Sequence, residues 1–297
     1  MGRELCQAFE AARLVLEEVD EALNQRLSKL MFEGPERELT LTENAQPALM
    51  AVSMAAYRVL AKDGALALPQ GAACVAGHSL GEYSALAAAG TFMLADAARL
   101  LKARGQAMQK AVPVGEGAMA ALLGVDLAKA EEIVKDAAED EVLAIANDNA
   151  PGQVVVSGHK SAVERAVKLA GERGPARALM LPVSAPFHCS LMQPAAEAMA
   201  EALSTVAMEA PAVPLIANVT ASAVSDVLAI RNLLVAQVTA RVRWRECVLA
   251  MKKDEVDTIV EIGSGKVLSG LTRRIAREMT AVSIQTPADI DAFLKTV

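Results

Sequence analysis

Apolar positions recur along the chain with two different spacings, and the alternation between them predicts the fold class. Longer segments place apolar residues every three to four positions, which is the period of an amphipathic helix, at 3–32, 43–61, 82–89, 94–112, 127–139, 160–172, 192–205, 226–237, 244–253 and 266–278. Short apolar runs typical of strands lie between them, at 72–76, 119–125, 142–147, 153–157, 176–182, 213–218, 258–262 and 280–284. Strands that alternate with helices indicate an α/β protein with a largely parallel sheet.

The order of elements changes in the middle of the chain. Between residues 115 and 185 it becomes strand, helix, strand, strand, helix, strand, with a turn at 149–153 between the two middle strands. This order is that of the split β-α-β unit of ferredoxin-like folds. We therefore expect a ferredoxin-like small domain at 115–185, inserted into a larger α/β domain formed by 1–114 and 186–297. One continuous larger sheet is the alternative.

Composition and charge exclude several classes of protein. Apolar residues make up 53% of the 297 positions, which excludes a disordered chain, and only 3% of the residues are aromatic. The longer uncharged stretches, 64–81 and 178–196, contain prolines and histidines and are not expected to span a bilayer. The net charge of −7 repels nucleic acid and anionic membranes, so we expect neither as a partner.

The cysteines and the N-terminus indicate the compartment. The four cysteines, Cys6, Cys74, Cys189 and Cys247, are scattered without the spacing of a zinc site. Reduced thiols in a cytoplasmic protein are the simplest interpretation. The first ten residues carry acidic side chains where a signal peptide needs an apolar core. We expect a cytoplasmic protein without a metal site.

Residues 77–81 read Gly-His-Ser-Leu-Gly and lie between the strand predicted at 72–76 and the helix predicted at 82–89. This G-x-S-x-G pattern, in that setting, is typical of a nucleophile elbow. A tight glycine turn with a capping serine is the alternative. The glycines of the elbow are expected where a β-carbon would clash in the sharp turn. Ser79 is then the candidate nucleophile, and the backbone N–H of Leu80 is a candidate donor to the oxyanion.

A serine nucleophile needs a base, and the chain offers three histidines. His78 adjoins Ser79, so its side chain is expected to point away from the serine hydroxyl and pack beside it. His159 follows a strand of the small domain and is expected to be solvated or to cap a helix. His188 lies in a proline-constrained loop just after the domain junction and is the best candidate.

No acidic residue between the serine and this histidine falls in a recognisable strand-end loop of the larger domain. We therefore expect a Ser-His dyad rather than a triad. In a dyad a backbone carbonyl must accept the proton on Nδ1 of His188 to fix the tautomer. From the elbow alone, a serine esterase or thioesterase of the α/β-hydrolase type is a candidate function.

Several motifs, taken together and in order, make the resemblance specific. The chain closely resembles malonyl-CoA:acyl carrier protein transacylases nearly from end to end. The segments that carry this resemblance are 42–49, 77–83, 104–109, 117–120, 149–155, 186–189 and 261–268. The resemblance implies a hydrolase-like α/β domain with a ferredoxin-like insertion, which agrees with the division expected above.

The resemblance also implies roles for individual residues. Ser79 corresponds to the acylated nucleophile and His188 to its general base. Arg104 matches the arginine that binds the malonyl carboxylate, and a guanidinium suits this role because it can hold a carboxylate with two parallel hydrogen bonds. Gln237 matches the residue whose main-chain carbonyl orients the histidine. Phe187 matches the bulky residue of malonyl-selective members.

The implied reaction is a ping-pong transfer for fatty acid synthesis. The malonyl group moves from malonyl-CoA to the serine and then to the phosphopantetheine thiol of acyl carrier protein. The resemblance implies no metal or redox cofactor, and we expect a monomer.

One departure from the family concerns the start of the chain. Family members begin with a strand and a Phe-Pro-Gly-Gln-Gly-Ser-Gln loop whose glutamine supplies a second oxyanion amide, and Met1 aligns just beyond that loop. A misplaced start or a truncated chain is the expectation. A weakly active or non-catalytic remnant that binds carrier protein is therefore a further alternative.

Overall fold

A computed structural model describes residues 1–62, 66–173, 177–183 and 185–296. The helices are α1 (Arg3–Ala8), α2 (Glu10–Leu23), α3 (Leu27–Glu33), α4 (Glu36–Leu39), α5 (Thr42–Lys62), α6 (Gly81–Ala88), α7 (Leu94–Lys110), α8 (Leu127–Ala138), α9 (Lys160–Glu172), α10 (Gln193–Thr205), α11 (Val227–Gln237), α12 (Trp244–Lys253), α13 (Val267–Ile275) and α14 (Pro287–Leu294). The strands are β1 (Val75–Ala76), β2 (Gly117–Leu123), β3 (Leu143–Ala150), β4 (Gln153–His159), β5 (Arg177–Met180), β6 (Leu215–Ala217), β7 (Ser222–Val224), β8 (Thr258–Ile262) and β9 (Thr280–Ile284).

The predicted α/β class is confirmed, and the described strands form three sheets. β1 pairs in parallel with β6, and β6 pairs antiparallel with the short strand β7. β8 and β9 form a separate parallel pair. The carboxyl ends of β1 and β6 meet at one edge, because the two strands are parallel and in register at Val75 and Leu215. That edge is where α/β proteins place their functional side chains.

The third sheet has the ferredoxin-like arrangement predicted for the middle of the chain. Its strands lie in the order β3-β4-β2-β5, and the described pairs are antiparallel. α8 and α9 pack on each other and enclose a separate apolar core that includes Leu122, Ile133, Val156 and Val163. The domain boundaries at 114/115 and 185/186 stay a prediction, and they fall just outside this set of strands.

The larger core is built from helices rich in alanine, leucine and methionine. α5 packs against α2 and α7, and α10 also packs against α7. Small side chains such as Ala51, Ala55, Ala97 and Ala98 are fully buried where these helices meet, because small residues allow helix axes to approach closely. This packing holds α7 beside α6 and so determines which face of α7 reaches the serine.

The element boundaries depart from the sequence prediction in a few places. The single helix predicted at 3–32 is divided into three, since Phe9 is extended and Asn24 has a left-handed φ of 46°. The strand predicted at 176–182 is observed at Arg177–Met180, and Ala176 lies outside the described residues. β7 and α14 were not predicted because each is short and lacks a clear apolar period.

A cavity of about 1330 Å³ is lined by residues of β1, β8 and β9. Apolar side chains such as Met54, Leu271 and Phe293 also line it, whereas Ser79 and His188 do not. Across the described ranges, none of the helices is long and apolar enough to cross a membrane.

Candidate active site

The chain makes a sharp turn at Ser79, between the end of β1 and the start of α6. Ser79 has a φ of 52°, in the left-handed region, which costs a non-glycine residue roughly 1 kcal/mol. A β-carbon added at Gly77 would lie 2.0 Å from the backbone of Gly81, so this position requires glycine. A β-carbon added at Gly81 would meet nothing within 4 Å. The steric reason predicted for both flanking glycines therefore applies only to Gly77.

The Ser79 hydroxyl lies between a histidine and an arginine. Its Oγ is 2.9 Å from Nε2 of His188, which comes 109 residues later in the chain, and 3.0 Å from Nη2 of Arg104. Nδ1 of the same imidazole lies 2.9 Å from the backbone carbonyl oxygen of Gln237. Because a carbonyl can only accept, Nδ1 carries the proton and Nε2 is left free to accept one from Ser79.

His188 is held in a buried, strained position. It is 4% exposed, and its φ of 60° is also in the left-handed region. Burial and, to a lesser extent, the nearby Arg104 charge together lower its pKa to about 3, and the hydrogen bond to Gln237 acts in the opposite direction. The ring is therefore neutral at neutral pH and able to accept a proton from Ser79.

Arg104 lies on α7 and is only 1% exposed. Its Nη1 donates to Oε1 of Gln46 at 2.7 Å, and its Nη2 also donates to Oε1 of Gln237 at 3.0 Å. Within the described part of the chain, its buried Nε has no hydrogen-bond partner. Burial lowers the pKa of the guanidinium, whereas Tyr83 and Glu82 raise it. A buried cation with an unused donor is costly, which is typical of a site that receives an anion.

The three remaining predicted site residues lie on the elements around this centre. Leu80 immediately precedes α6, so its backbone N–H is at the helix N-terminus, where amides point toward developing negative charge. Gln237 is the last residue of α11 and is fully buried. Phe187 is half-buried and packs against Met119 and Val155 of the small sheet.

The other two histidines face away from the serine. Nε2 of His78 lies 2.8 Å from Oδ1 of Asn149, and its ring packs against Trp244. His159 occupies the N-cap position of α9, but its side chain makes no capping bond. Instead its Nδ1 accepts from the backbone N–H of Val142 at 2.9 Å, and the residue is partly exposed, so the side-chain capping role is wrong.

Sequence reasoning missed the polar residues that support the turn. Oδ1 of Asn218 accepts from the backbone N–H of Ser79 at 2.8 Å, and its Nδ2 donates to the carbonyl of Gly77 at 2.8 Å. The backbone N–H of Asn218 in turn donates to the carboxylate of Glu82. Gln46, which holds Arg104, was also missed.

Two sequence signals could have pointed to these residues. Asn218 directly follows β6, and a polar residue after a strand parallel to β1 is expected at the same sheet edge as the elbow. Glu82 is an acid within the first turn after the elbow, where an N-terminal helix position favours negative charge. Gln46 sits inside a helix pattern with no comparable signal.

Comparison with known proteins gives one consistent result. Residues 1–286 match the acyl transferase domain family. The malonyl CoA-acyl carrier protein transacylase of Bacillus subtilis is 42% identical over 298 residues, covering 100% of this chain and 92% of the relative. The crystal structure of the acyl-carrier-protein-S-malonyltransferase from Bartonella henselae superposes with a TM-score of 0.97 at 57% identity, covering 100% of this chain and 94% of that one.

A further solved structure contains a partner protein. It shows a type II PKS acyl-carrier protein in complex with its malonyl-transacylase. The matching chain of that structure has a TM-score of 0.96 and 40% identity, and the match covers 100% of this chain and 95% of that one. The resemblance noted from the motifs is thus confirmed along the whole chain. The chain belongs to the acyl transferase domain family and, within it, to the malonyl CoA-acyl carrier protein transacylases.

Proposed function

We propose that the protein transfers a malonyl group from malonyl-CoA to the phosphopantetheine thiol of acyl carrier protein, in fatty acid synthesis. The observation that carries this proposal is the convergence of a neutral imidazole and a buried guanidinium on one hydroxyl, that of Ser79. The names of the relatives at 42% and 57% identity agree with it. The solved complex of a malonyl-transacylase with its acyl-carrier protein supports acyl carrier protein as the partner.

In the first half-reaction, Oγ of Ser79 attacks the thioester carbonyl carbon of malonyl-CoA. Its proton passes to Nε2 of His188, and the negative charge moves to the carbonyl oxygen, where the Leu80 N–H is proposed to donate. The C–S bond then breaks, and the CoA sulfur leaves with the proton from His188. The product is malonyl-Ser79 and free CoA. The Gln237 carbonyl is proposed to hold the ring in place throughout.

The buried guanidinium gives the site its acyl preference. A malonyl group on Ser79 carries its carboxylate one methylene beyond the ester carbonyl, and the cation lies within hydrogen-bond distance of the serine oxygen. Arg104 would hold this carboxylate with charge-assisted hydrogen bonds. The anion would also offset the positive charge that depresses the pKa of His188, so binding of the correct acyl group strengthens the base. Phe187 is proposed to limit bulk at the acyl α-carbon.

In the second half-reaction the thiol of acyl carrier protein attacks malonyl-Ser79. His188 takes the thiol proton and returns it to the serine oxygen as the ester bond breaks. Every proton and electron pair in this sequence comes from the two substrates and the Ser-His pair, so we propose that no metal or redox cofactor is needed. We also propose a cytoplasmic monomer with the two domains given above.

Transfer and hydrolysis are distinguished by one pair of assays. Purified protein is incubated with radiolabelled malonyl-CoA and holo acyl carrier protein, and separately with a simple uncharged ester. The proposal expects label on the carrier protein and a strong dependence on Arg104. A serine esterase would turn over the uncharged ester, leave the carrier protein unlabelled and be indifferent to Arg104→Ala.

A further inference from the structure

A buried carboxylate lies behind the serine and takes no part in the chemistry proposed above. Glu82, in the first turn of α6, is 1% exposed. One of its oxygens accepts from the backbone N–H of Asn218, and the other accepts from Nε2 of Gln237 at 2.5 Å. Burying a carboxylate is costly unless hydrogen bonds compensate it, and here both oxygens have a donor.

The side-chain amide of Gln237 joins this carboxylate to the arginine. Its Nε2 faces Glu82 and also lies 3.0 Å from the carbonyl oxygen of Ser79, whereas its Oε1 accepts from Nη2 of Arg104 at 3.0 Å. A carboxylate only accepts hydrogen bonds and a guanidinium only donates them. Only one orientation of the amide therefore satisfies both neighbours.

We propose that Glu82 is a positioning residue that fixes the orientation of the Gln237 amide and, through it, holds Arg104 beside Ser79. A second connection runs through Asn218, whose N–H donates to Glu82 and whose Oδ1 accepts from the Ser79 N–H. This inference rests on the proposed function, since the groups it positions are those that bind and accept the malonyl group. Glu82 itself contacts no reacting atom.

The substitution Glu82→Gln keeps the shape of the side chain, replaces one of its two acceptors by a donor and removes its negative charge. If the new amide oxygen stays on the Asn218 N–H, the new NH₂ group faces Nε2 of Gln237. Rotating the Gln237 amide relieves that contact but turns its NH₂ toward Arg104 and removes its bond to the Ser79 carbonyl. Reversing the substituted amide instead sets its NH₂ against the Asn218 N–H. Every arrangement leaves one donor facing another in a buried site.

A double variant restores the matching directions. In Glu82→Gln, Gln237→Glu, the amide at 82 donates to the carboxylate at 237, and that carboxylate accepts from Nη2 of Arg104. The carboxylate is now on residue 237 instead of residue 82, and the negative charge near Arg104 is retained. The bond to the Ser79 carbonyl is not recovered, so the rescue is partial. A side chain that merely fills space would not be rescued by a second substitution of this kind.

The pH profile gives a readout that packing would not affect. Burial raises the pKa of Glu82, against the effect of its two donors and of Arg104 from α7. Among the residues that the structure describes, the other titratable groups that interact with Glu82 are Tyr83 on its own helix and Cys247 from α12, and burial raises the pKa of each to about 12. The pKa of His188 is lowered to about 3. Of these groups, Glu82 is the one that titrates between those limits.

The experiment measures Ser79 acylation by malonyl-CoA as a function of pH in four proteins. These are the wild type, Glu82→Gln, the double variant and the control Glu164→Gln, which alters an exposed acid on α9. Thermal melting of each shows whether it folds. We expect the second-order rate constant of acylation by malonyl-CoA to fall about tenfold to a hundredfold in Glu82→Gln, to recover in part in the double variant, and to be unchanged in the control.

We also expect the wild type to lose activity toward acid with a midpoint above 4.5, the ordinary carboxyl value. Glu82→Gln should lack this acid limb and the double variant should regain it. Wild-type rates in Glu82→Gln would overturn the proposal. The proposal would also be overturned if the double variant did not fold, or if its rate constant of acylation were no higher than that of Glu82→Gln.

Failure of the proposed function has a different signature. If wild-type Ser79 takes no label from malonyl-CoA, the transferase reaction is refuted. The positioning role of Glu82 is then tested by the rate at which a fluorophosphonate probe labels Ser79 in the same proteins. That probe bonds phosphorus to the serine oxygen as fluoride leaves and the proton passes to His188. The probe carries no carboxylate for Arg104, so its rate reports on the connection from Glu82 through Asn218 to the Ser79 N–H. The same order of rates, with the wild type fastest and Glu82→Gln slowest, would support the positioning role, and equal rates would refute it.

Discussion

The substitution Arg104→Ala separates acyl recognition from nucleophile activation. In the folded protein this guanidinium donates to Gln46, Ser79 and Gln237, and within the described residues its Nε is free to receive a further acceptor. In the proposed complex it holds the malonyl carboxylate. Alanine removes that contact and leaves the serine and the histidine in place.

The magnitude follows from the number of charge-assisted bonds lost. A hydrogen bond to a charged group contributes about 1.5–3 kcal/mol, so two bonds to the carboxylate correspond to about 3–6 kcal/mol. At 1.4 kcal/mol per tenfold, acylation by malonyl-CoA should fall by about 10² to 10⁴. Acetyl-CoA has no acyl carboxylate for Arg104 to bind, so it loses no such hydrogen bonds in this variant. Removing the arginine charge also raises the pKa of His188 and strengthens it as a base, so acylation by acetyl-CoA should be maintained or should increase.

The assay is a single-turnover measurement of CoA release from malonyl-CoA and from acetyl-CoA, followed by chromatography. Arg104→Lys serves as the matched comparison, because it keeps the charge but loses the two-pronged geometry, and it should lie between wild type and alanine. Thermal melting establishes that each variant is folded. An equal loss with both thioesters, or no loss with malonyl-CoA, would refute the proposed role of this arginine.

Three further predictions concern the support of the site. Gly77→Ala should destabilise the fold by more than about 4 kcal/mol, because its β-carbon would overlap the backbone of Gly81. Gly81→Ala should change the free energy of unfolding by less than about 0.5 kcal/mol, because its β-carbon would meet nothing within 4 Å. Urea unfolding measures both values, and equal effects of the two substitutions would contradict the geometry. Asn218→Ala should cost about 1–3 kcal/mol in the same assay, since it leaves the Ser79 N–H and the Gly77 carbonyl without their buried partner, and a wild-type value would contradict this. The pKa of His188 is lowered to about 3 from an ordinary 6.5, so the unfolded chain takes up its proton first as the pH falls, and stability should decline between these values. His188→Gln should lose less stability than wild type between about pH 7 and pH 5, and an equal loss would show that this ring does not stay neutral.

The parts of the site that were predictable are those with a local sequence signature. The elbow at Ser79 combines a strand, a glycine turn and a helix, and the scarcity of histidines left His188 as the candidate base. The small domain was predictable because its order of strands and helices differs from that of the rest of the chain. In each case short-range patterns carry the information.

The supporting network was not predictable in the same way. Glu82 contacts Gln237 across 155 positions of sequence, and Asn218 contacts Ser79 across 139. Only the fold brings these residues together, and no local period marks a buried polar side chain. The three-part division of the first predicted helix has a local cause, since Asn24 adopts a left-handed conformation that the apolar pattern does not encode.

The central claim is that Ser79 carries the malonyl group between two thiols. Protein incubated with malonyl-CoA, freed of excess substrate and digested should show one malonyl group on the peptide that contains Ser79. Addition of holo acyl carrier protein should remove that group from the serine and transfer it to the carrier thiol, and Ser79→Ala should show neither event. Malonyl groups on another residue, or a malonyl-serine that carrier protein does not discharge, would contradict the account.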